Sequence, residues 1–199
     1  MEPVLDSVDR VVTPDMNSTL LQPYTPDEVK QALFQMHPSK SPRPNGMSPF
    51  FFQKYWHIVG HDVTVAVLSV LTSGHFLHKM NYTHIVLIPK ENDPRCVFDF
   101  RPISLANVVS RIVSKVLANR LKLILPDVIL DSQSAFVPNQ LIIDNTTITF
   151  EILHRMRNKR SGKKGQMAVK LDISKAYDRV EWSFLKQIML KLGFDRHWV

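Results

Sequence analysis

Met167-Ala168-Val169-Lys170-Leu171-Asp172-Ile173-Ser174-Lys175-Ala176-Tyr177-Asp178-Arg179-Val180 is the stretch on which the reading of this chain turns. Its first half alternates. On a strand over 167–173, Met167, Val169, Leu171 and Ile173 share one face, and Lys170 and Asp172 take the other. The apolar face is expected to pack on helices, leaving Asp172 on an open face near the strand end. A carboxylate there is a hard oxygen donor. It suits Mg²⁺, which prefers oxygen ligands and leaves room for substrate phosphates. The same residue type also caps turns. The spacing alone leaves both roles open.

Working outward, Glu181 to Leu192 has helical character, with Gly193 as its stop. Upstream, Ser161-Gly162-Lys163-Lys164-Gly165 reads as a basic turn, and a helix is expected from Asp144 to about Asn158. Arg111 to Leu125 is the clearest helix: Ile112, Val116 and Leu123 fall near one line with Val113, Leu117 and Ile124 beside it, and Arg111, Lys115 and Lys122 near another. Tyr82 to Ile88 is rich in β-formers and ends at Pro89, which predicts a strand. Val63, Val67, Val70 and Leu71 predict an amphipathic helix stopped by Gly74. Thr25-Pro26-Asp27-Glu28 carries a capping box and a first-turn proline, ahead of Val29, Ala32, Leu33 and Met36. Residues 1–24 show no sustained period and are expected to be a linker.

The 199 residues are enough for a core, and 44% apolar content argues against wholesale disorder. The one cysteine, Cys96, excludes an internal disulfide and a Cys-rich zinc site. The opening MEPVLDSVDR lacks an apolar run of signal-peptide length, and no stretch suggests a membrane span, so a soluble intracellular protein is expected. Net charge is +7 and unevenly spread. Residues 100–130 carry Arg101, Arg111, Lys115, Arg120 and Lys122 against Asp127. Residues 151–170 carry Arg155, Arg157, Lys159, Arg160, Lys163, Lys164 and Lys170 against Glu151. Such concentrations attract phosphate backbones, though solvated helix faces look the same in sequence.

The opening stretch resembles motif A of reverse transcriptases, with Asp172 at the strand end and the aromatic Tyr177 five positions on. The likeness continues in order through the chain. Lys40-Ser41-Pro42, Asn81-Tyr82-Thr83 to Ile88-Pro89-Lys90, Phe100-Arg101-Pro102-Ile103-Ser104-Leu105, Ser114-Lys115-Val116-Leu117-Ala118-Asn119-Arg120-Leu121 and Gln133-Ser134-Ala135-Phe136-Val137-Pro138 all resemble blocks of LINE-type (non-LTR) retrotransposon enzymes. Their wording is most similar to plant elements. The resemblance departs at Arg43 and Asn45, where the family usually has Gly and Asp, and at Asn139 and Gln140, where it usually has Gly and Arg.

The resemblance implies an α/β fold: a linker over 1–24, fingers over 25–165, and the first strand and helix of a palm over 166–199. It implies an RNA-directed DNA polymerase that joins deoxynucleoside triphosphates to a DNA primer on an RNA template. In that scheme Asp172, with the backbone carbonyl of Ile173, binds Mg²⁺. Arg101 contacts the triphosphate, and Lys90 lines the same pocket or touches template. Tyr177 lies under the sugar and excludes a 2′-hydroxyl. An ion pair for Arg101, a solvated strand end for Lys90 and core packing for Tyr177 are the structural alternatives. Two further aspartates come from a later Ala-Asp-Asp hairpin in the family. No Asp-Asp pair occurs here, so the rest of the palm and the thumb are expected in a missing portion of the same polyprotein. A nuclear location is implied by the resemblance alone. The other readings are an inactive remnant that binds RNA or DNA, and a relic without function.

Overall fold

The computed structural model describes residues 5–39, 46–130, 133, 141–159, 167–171, 173 and 176–199. Its elements are α1 (Pro14–Leu20), α2 (Pro26–Phe34), α3 (Pro49–Lys54), α4 (Trp56–Ser73), α5 (His78–Asn81), β1 (Thr83–Pro89), β2 (Phe100–Ala106), α6 (Val108–Val128), α7 (Ile142–Asn158), α8 (Ala176–Arg179) and α9 (Trp182–Leu192). A 3₁₀ turn at Val97–Asp99 precedes β2. The class is α/β, and the described residues form many helices and one small antiparallel sheet. No described helix is long and apolar enough to cross a membrane. Contacts divide the chain into two compact units, Pro23–Arg120 and Met1–Gln22 with Leu121–Val199.

The first unit is built on helix ends that the local sequence specifies. Thr25 Oγ1 accepts from Glu28 N, and Glu28 Oε2 accepts from Thr25 N at 2.8 Å, so both halves of the expected capping box form. At the other end of α2, Gln53 Nε2 donates to the carbonyls of Leu33 and Met36 at 3.0 and 2.8 Å. That satisfies acceptors a helix end leaves open. Helix α4 stops at Gly74, whose φ of 67° would strain any residue with a Cβ. Val29, Ala32 and Leu33 of α2, Val63, Val67 and Val70 of α4, and Val108, Ile112, Val113 and Val116 of α6 form the core with Met36 and Phe52.

Within α6 the buried line runs Val108, Ile112, Val116, Arg120, Ile124, at steps of four. Each step turns about 40° around the helix. Leu123, expected on the apolar line, is therefore left 65% exposed, whereas Val113 and Ile124, expected beside that line, are buried. Arg120 is brought inside, at 5% exposure. Its Nε donates to Glu28 Oε1 at 2.6 Å, and its Nη2 donates to Glu28 Oε2 and to the Pro23 carbonyl, both at 2.9 Å. Its guanidinium carbon lies 3.8 Å from the centroid of the Tyr24 ring. Arg120 is thus an internal tie rather than part of a phosphate-facing surface.

The second unit corrects the linker expectation for residues 1–24. Thr13 caps α1, and Val12 and Leu20 are buried with Ile124 and Phe194. Val11 N and Val12 N both donate to the Leu192 carbonyl. The stretch is too short to show a period, but its few apolar residues find a partner in α9. Gly193 ends α9 as expected, at φ 102°. A Cβ there would fall 2.8 Å from Arg10 Cγ and 2.9 Å from the Val12 carbonyl.

The strand expected over 167–173 does not form at its described residues, Met167 to Leu171 and Ile173. A strand exists through hydrogen bonds to a neighbour, and the one sheet among the described residues pairs β1 with β2 alone. Met167, Val169, Leu171 and Ile173, the expected core face, are 65–88% exposed.

The hydrogen bond from Arg120 holds the Glu28 carboxyl below its ordinary value of 4.5, against the opposing effect of burial. A depressed carboxylate stabilises the fold above its unfolded pKa, and the contribution is lost as pH falls through the folded value. Glu28→Ala also leaves Arg120 buried without its carboxylate. We expect it to destabilise the unit by about 3 kcal/mol in urea melts near neutral pH. The difference from wild type should shrink below about pH 4.5. Equal loss at all pH values would show that the ionised Glu28 carboxylate is not the source of the stability.

Candidate functional site

Strands β1 and β2 pair antiparallel, with Thr83 opposite Ala106, Val86 opposite Ile103, Ile88 opposite Arg101 and Pro89 opposite Phe100. The next pair extends the ladder: Lys90 N donates to the Asp99 carbonyl at 2.7 Å. In an antiparallel ladder bonded pairs alternate with unbonded ones. Counting back from Lys90–Asp99, the bonded pairs are Ile88–Arg101, Val86–Ile103 and His84–Leu105. Pro102, opposite Leu87, falls at an unbonded position, where its missing N–H costs nothing to the ladder. A proline inside a run speaks against a strand in sequence; the register shows why Pro102 is tolerated in β2.

The same register brings two candidate residues together. Directly opposite residues share a face, and so do residues two apart along a strand. Lys90 and Arg101 therefore share one face at the turn end of the ribbon, as diagonal neighbours. Both are exposed. Among the described residues Arg101 makes no ion pair. Lys90 Nζ donates to the Phe98 carbonyl at 2.6 Å, which holds the ammonium against the turn.

Asp99 organises that turn. Its Oδ2 accepts from Cys96 N at 2.9 Å and from Arg95 N at 2.8 Å. These bonds, Cys96 first, hold its carboxyl below the ordinary value of 3.8. The carboxylate role of Asp99 was missed in the sequence. Its position three residues after Cys96, at the end of a short turn before a strand, is the signal that marks it.

Asp172, Ile173 and Tyr177 fall in the sequence range of the other unit. Asp172 lies outside the described residues, as do Lys40-Ser41-Pro42, Arg43, Asn45, Asn139, Gln140 and the block from Ser134 to Pro138. Ile173 is 65% exposed and outside any helix or strand. Tyr177 falls in α8, and its side chain is outside what is described. No group of three His, Cys, Asp or Glu side chains among the described residues is placed to hold a metal ion. The described donors therefore do not make up a metal centre.

The family model for reverse transcriptase (RNA-dependent DNA polymerase) matches residues 88–199. That span contains Lys90, Arg101, Asp172, Ile173 and Tyr177. The chain is 34% identical, over 95% of its length, to the transposon TX1 uncharacterized 149 kDa protein of Xenopus laevis. It is 29% identical, over 81% of its length, to the retrovirus-related Pol polyprotein from type-2 retrotransposable element R2DM of Drosophila melanogaster. A type-1 element R2 Pol polyprotein of Nasonia vitripennis is also 29% identical over 81% of the chain. The chain spans 14–15% of the length of these three relatives.

The Asp99 carboxylate holds the Arg95 and Cys96 amides only while it is ionised. Its depressed pKa means that the turn is held above about pH 4 and loosens as pH falls through the folded value. Hydrogen exchange at those two amides, corrected for intrinsic pH dependence, should lose protection in that window. Asp99→Asn should show weak protection at every pH. Protection unchanged by either would show that the turn is held by other bonds.

Proposed function

This chain belongs to the reverse transcriptase (RNA-dependent DNA polymerase) family, of the LINE-type (non-LTR) retrotransposon kind, and we propose that its β1–β2 ribbon is the nucleotide-facing part of such an enzyme. Reverse transcriptases use divalent metal ions, a nucleic-acid template and nucleotide substrates. The observation that carries the proposal is the shared face of Lys90 and Arg101 at the turn end of the ribbon. A planar guanidinium with no ion-pair partner among the described residues can bind two phosphate oxygens at once. The Lys90 ammonium, held beside it on the Phe98 carbonyl, adds a point charge for the same polyanion.

In the proposed scheme the fingers run over 25–165 and the palm begins at 166. Arg101 grips the triphosphate of an incoming deoxynucleotide, and Lys90 supports it. Tyr177 lies beneath the sugar and discriminates against a 2′-hydroxyl by size. Asp172 and the Ile173 carbonyl offer oxygen donors suited to Mg²⁺. Divalent ions bound in such sites lower the pKa of an attacking hydroxyl and steady a leaving pyrophosphate. The partners are an RNA template, a DNA primer and the remaining portion of a longer polyprotein. A remnant that binds RNA or DNA without chemistry is the second reading, supported by the exposed Arg155, Arg157 and Lys159 at the end of α7.

Binding of a fluorescent deoxynucleoside triphosphate with Mg²⁺, followed by anisotropy, tests the ribbon. Arg101→Ala should weaken binding about tenfold or more, as loss of a bidentate charged contact does. Unchanged affinity would overturn the assignment. A primed RNA template should not be extended by these 199 residues alone. Extension abolished by Asp172→Ala would show that the missing aspartates are dispensable.

A further inference from the structure

Helix α7 carries a feature that the nucleotide site does not use. Phe150 and His154 lie one turn apart with their rings stacked, 6.5 Å between centroids and 11° between planes. Phe150 is 71% exposed, and His154 is exposed. The Asn158 amide nitrogen lies 2.8 Å from His154 Nε2 and fixes the imidazole plane. The stack is therefore held open to solvent rather than folded into a core. At 100° per residue, Arg157 falls within about 20° of the Phe150 line and His154 within about 40°. One helix line thus reads Phe150, His154, Arg157.

The last turns of α7 are also strongly basic. Arg155, Arg157 and Lys159 are exposed, and none of them makes an ion pair among the described residues. Ile148 and Leu153, nearby on the same helix, are 55% and 48% exposed. A line of flat rings ending in a cation has a chemical match in an unpaired strand of nucleic acid. Bases stack on the rings whatever their identity, and a phosphate meets the guanidinium. A duplex cannot use such a line, because its bases are already stacked and only its backbone is presented.

We propose that the Phe150–His154–Arg157 line of α7 is a stacking platform for single-stranded nucleic acid, outside the nucleotide site. The proposal deepens the polymerase reading and rests on it for the kind of partner. It adds a defined surface, a strand state and a lack of base preference. Phe150 supplies the main stacking face. His154 extends it, and Arg157 anchors the backbone.

The test uses the 199-residue chain with a labelled uridylate strand of about fifteen nucleotides, within the site sizes such platforms cover. A blunt RNA duplex of the same length is the comparison. Phe150→Ala should weaken single-strand binding about tenfold with its salt slope unchanged, because stacking releases no counterions. Arg157→Gln should lower the slope by about 0.7, the value for one single-strand phosphate contact. Duplex binding should change little with Phe150→Ala. Phe150→Leu keeps apolar bulk but removes the ring, so it guards against a folding artefact and should also lose affinity. Wild-type binding by a folded Phe150→Leu protein would overturn the proposal. So would an equal loss on duplex and single strand. Neither outcome depends on triphosphate binding at Arg101, so failure here leaves the ribbon assignment standing, and the converse also holds.

Discussion

The ion pair between Arg120 and Glu28 is the contact on which the Pro23–Arg120 unit depends. It joins residues 92 positions apart in sequence. Glu28 is at once the third residue of α2, a partner in its capping box and the acceptor for Arg120. Losing one role disturbs the others. The guanidinium is nearly dry, so its charge must be met on every side. The Glu28 carboxylate, the Pro23 carbonyl and the face of Tyr24 do so. Burial raises the Tyr24 phenol's pKa, with Arg120 acting against it. A buried pair is weak evidence for net stability over an apolar replacement. In this structure it fixes which side of α6 faces α2.

That orientation of α6 matters for the ribbon. Strand β2 ends at Ala106, and α6 begins at Val108. Asn107 between them donates from Nδ2 to the carbonyls of Lys79 and Met80, at the end of α5 just before β1. The two strands are therefore tied at their base to the helical core of the same unit. Beyond the base the ribbon has little cover. Ile85, Val86, Leu87, Ile88 and Ile103 are 40–68% exposed. A two-stranded ribbon is marginal alone. Its base ties and the Asp99-organised turn are what present Lys90 and Arg101 in a defined register.

Helices were legible in the sequence where capping residues and apolar period agreed. Thr25, Glu28, Gly74 and Gly193 each act as their residue type requires, and β1 falls within one residue of the expected strand. The errors have a common origin. The helical period aligns Leu123 with Ile112 and Val116 but does not say which four-residue stripe a partner covers, so Leu123 is exposed and Arg120 buried. Residues 1–24 look like a linker in sequence because Val12 and Leu20 bury against α9, more than 160 positions away, and no local pattern records that. The strand over 167–173 was read from alternation alone, yet a strand needs a neighbour. The resemblance puts Lys90 near Arg101, but their shared face follows only from β2 and its register. The role of Asp172 rests on likeness of sequence and on its chemistry as an oxygen donor.

The central claim is that Lys90 and Arg101 act together on one phosphate chain. Nitrogen-detected NMR of the Arg101 Nε and Lys90 Nζ groups, during titration with a deoxynucleoside triphosphate and Mg²⁺, measures it most directly. Both signals should shift together along one saturable curve, with the Arg111 and Lys122 side chains unmoved. Saturation at other side chains, with Lys90 and Arg101 unchanged, would contradict it.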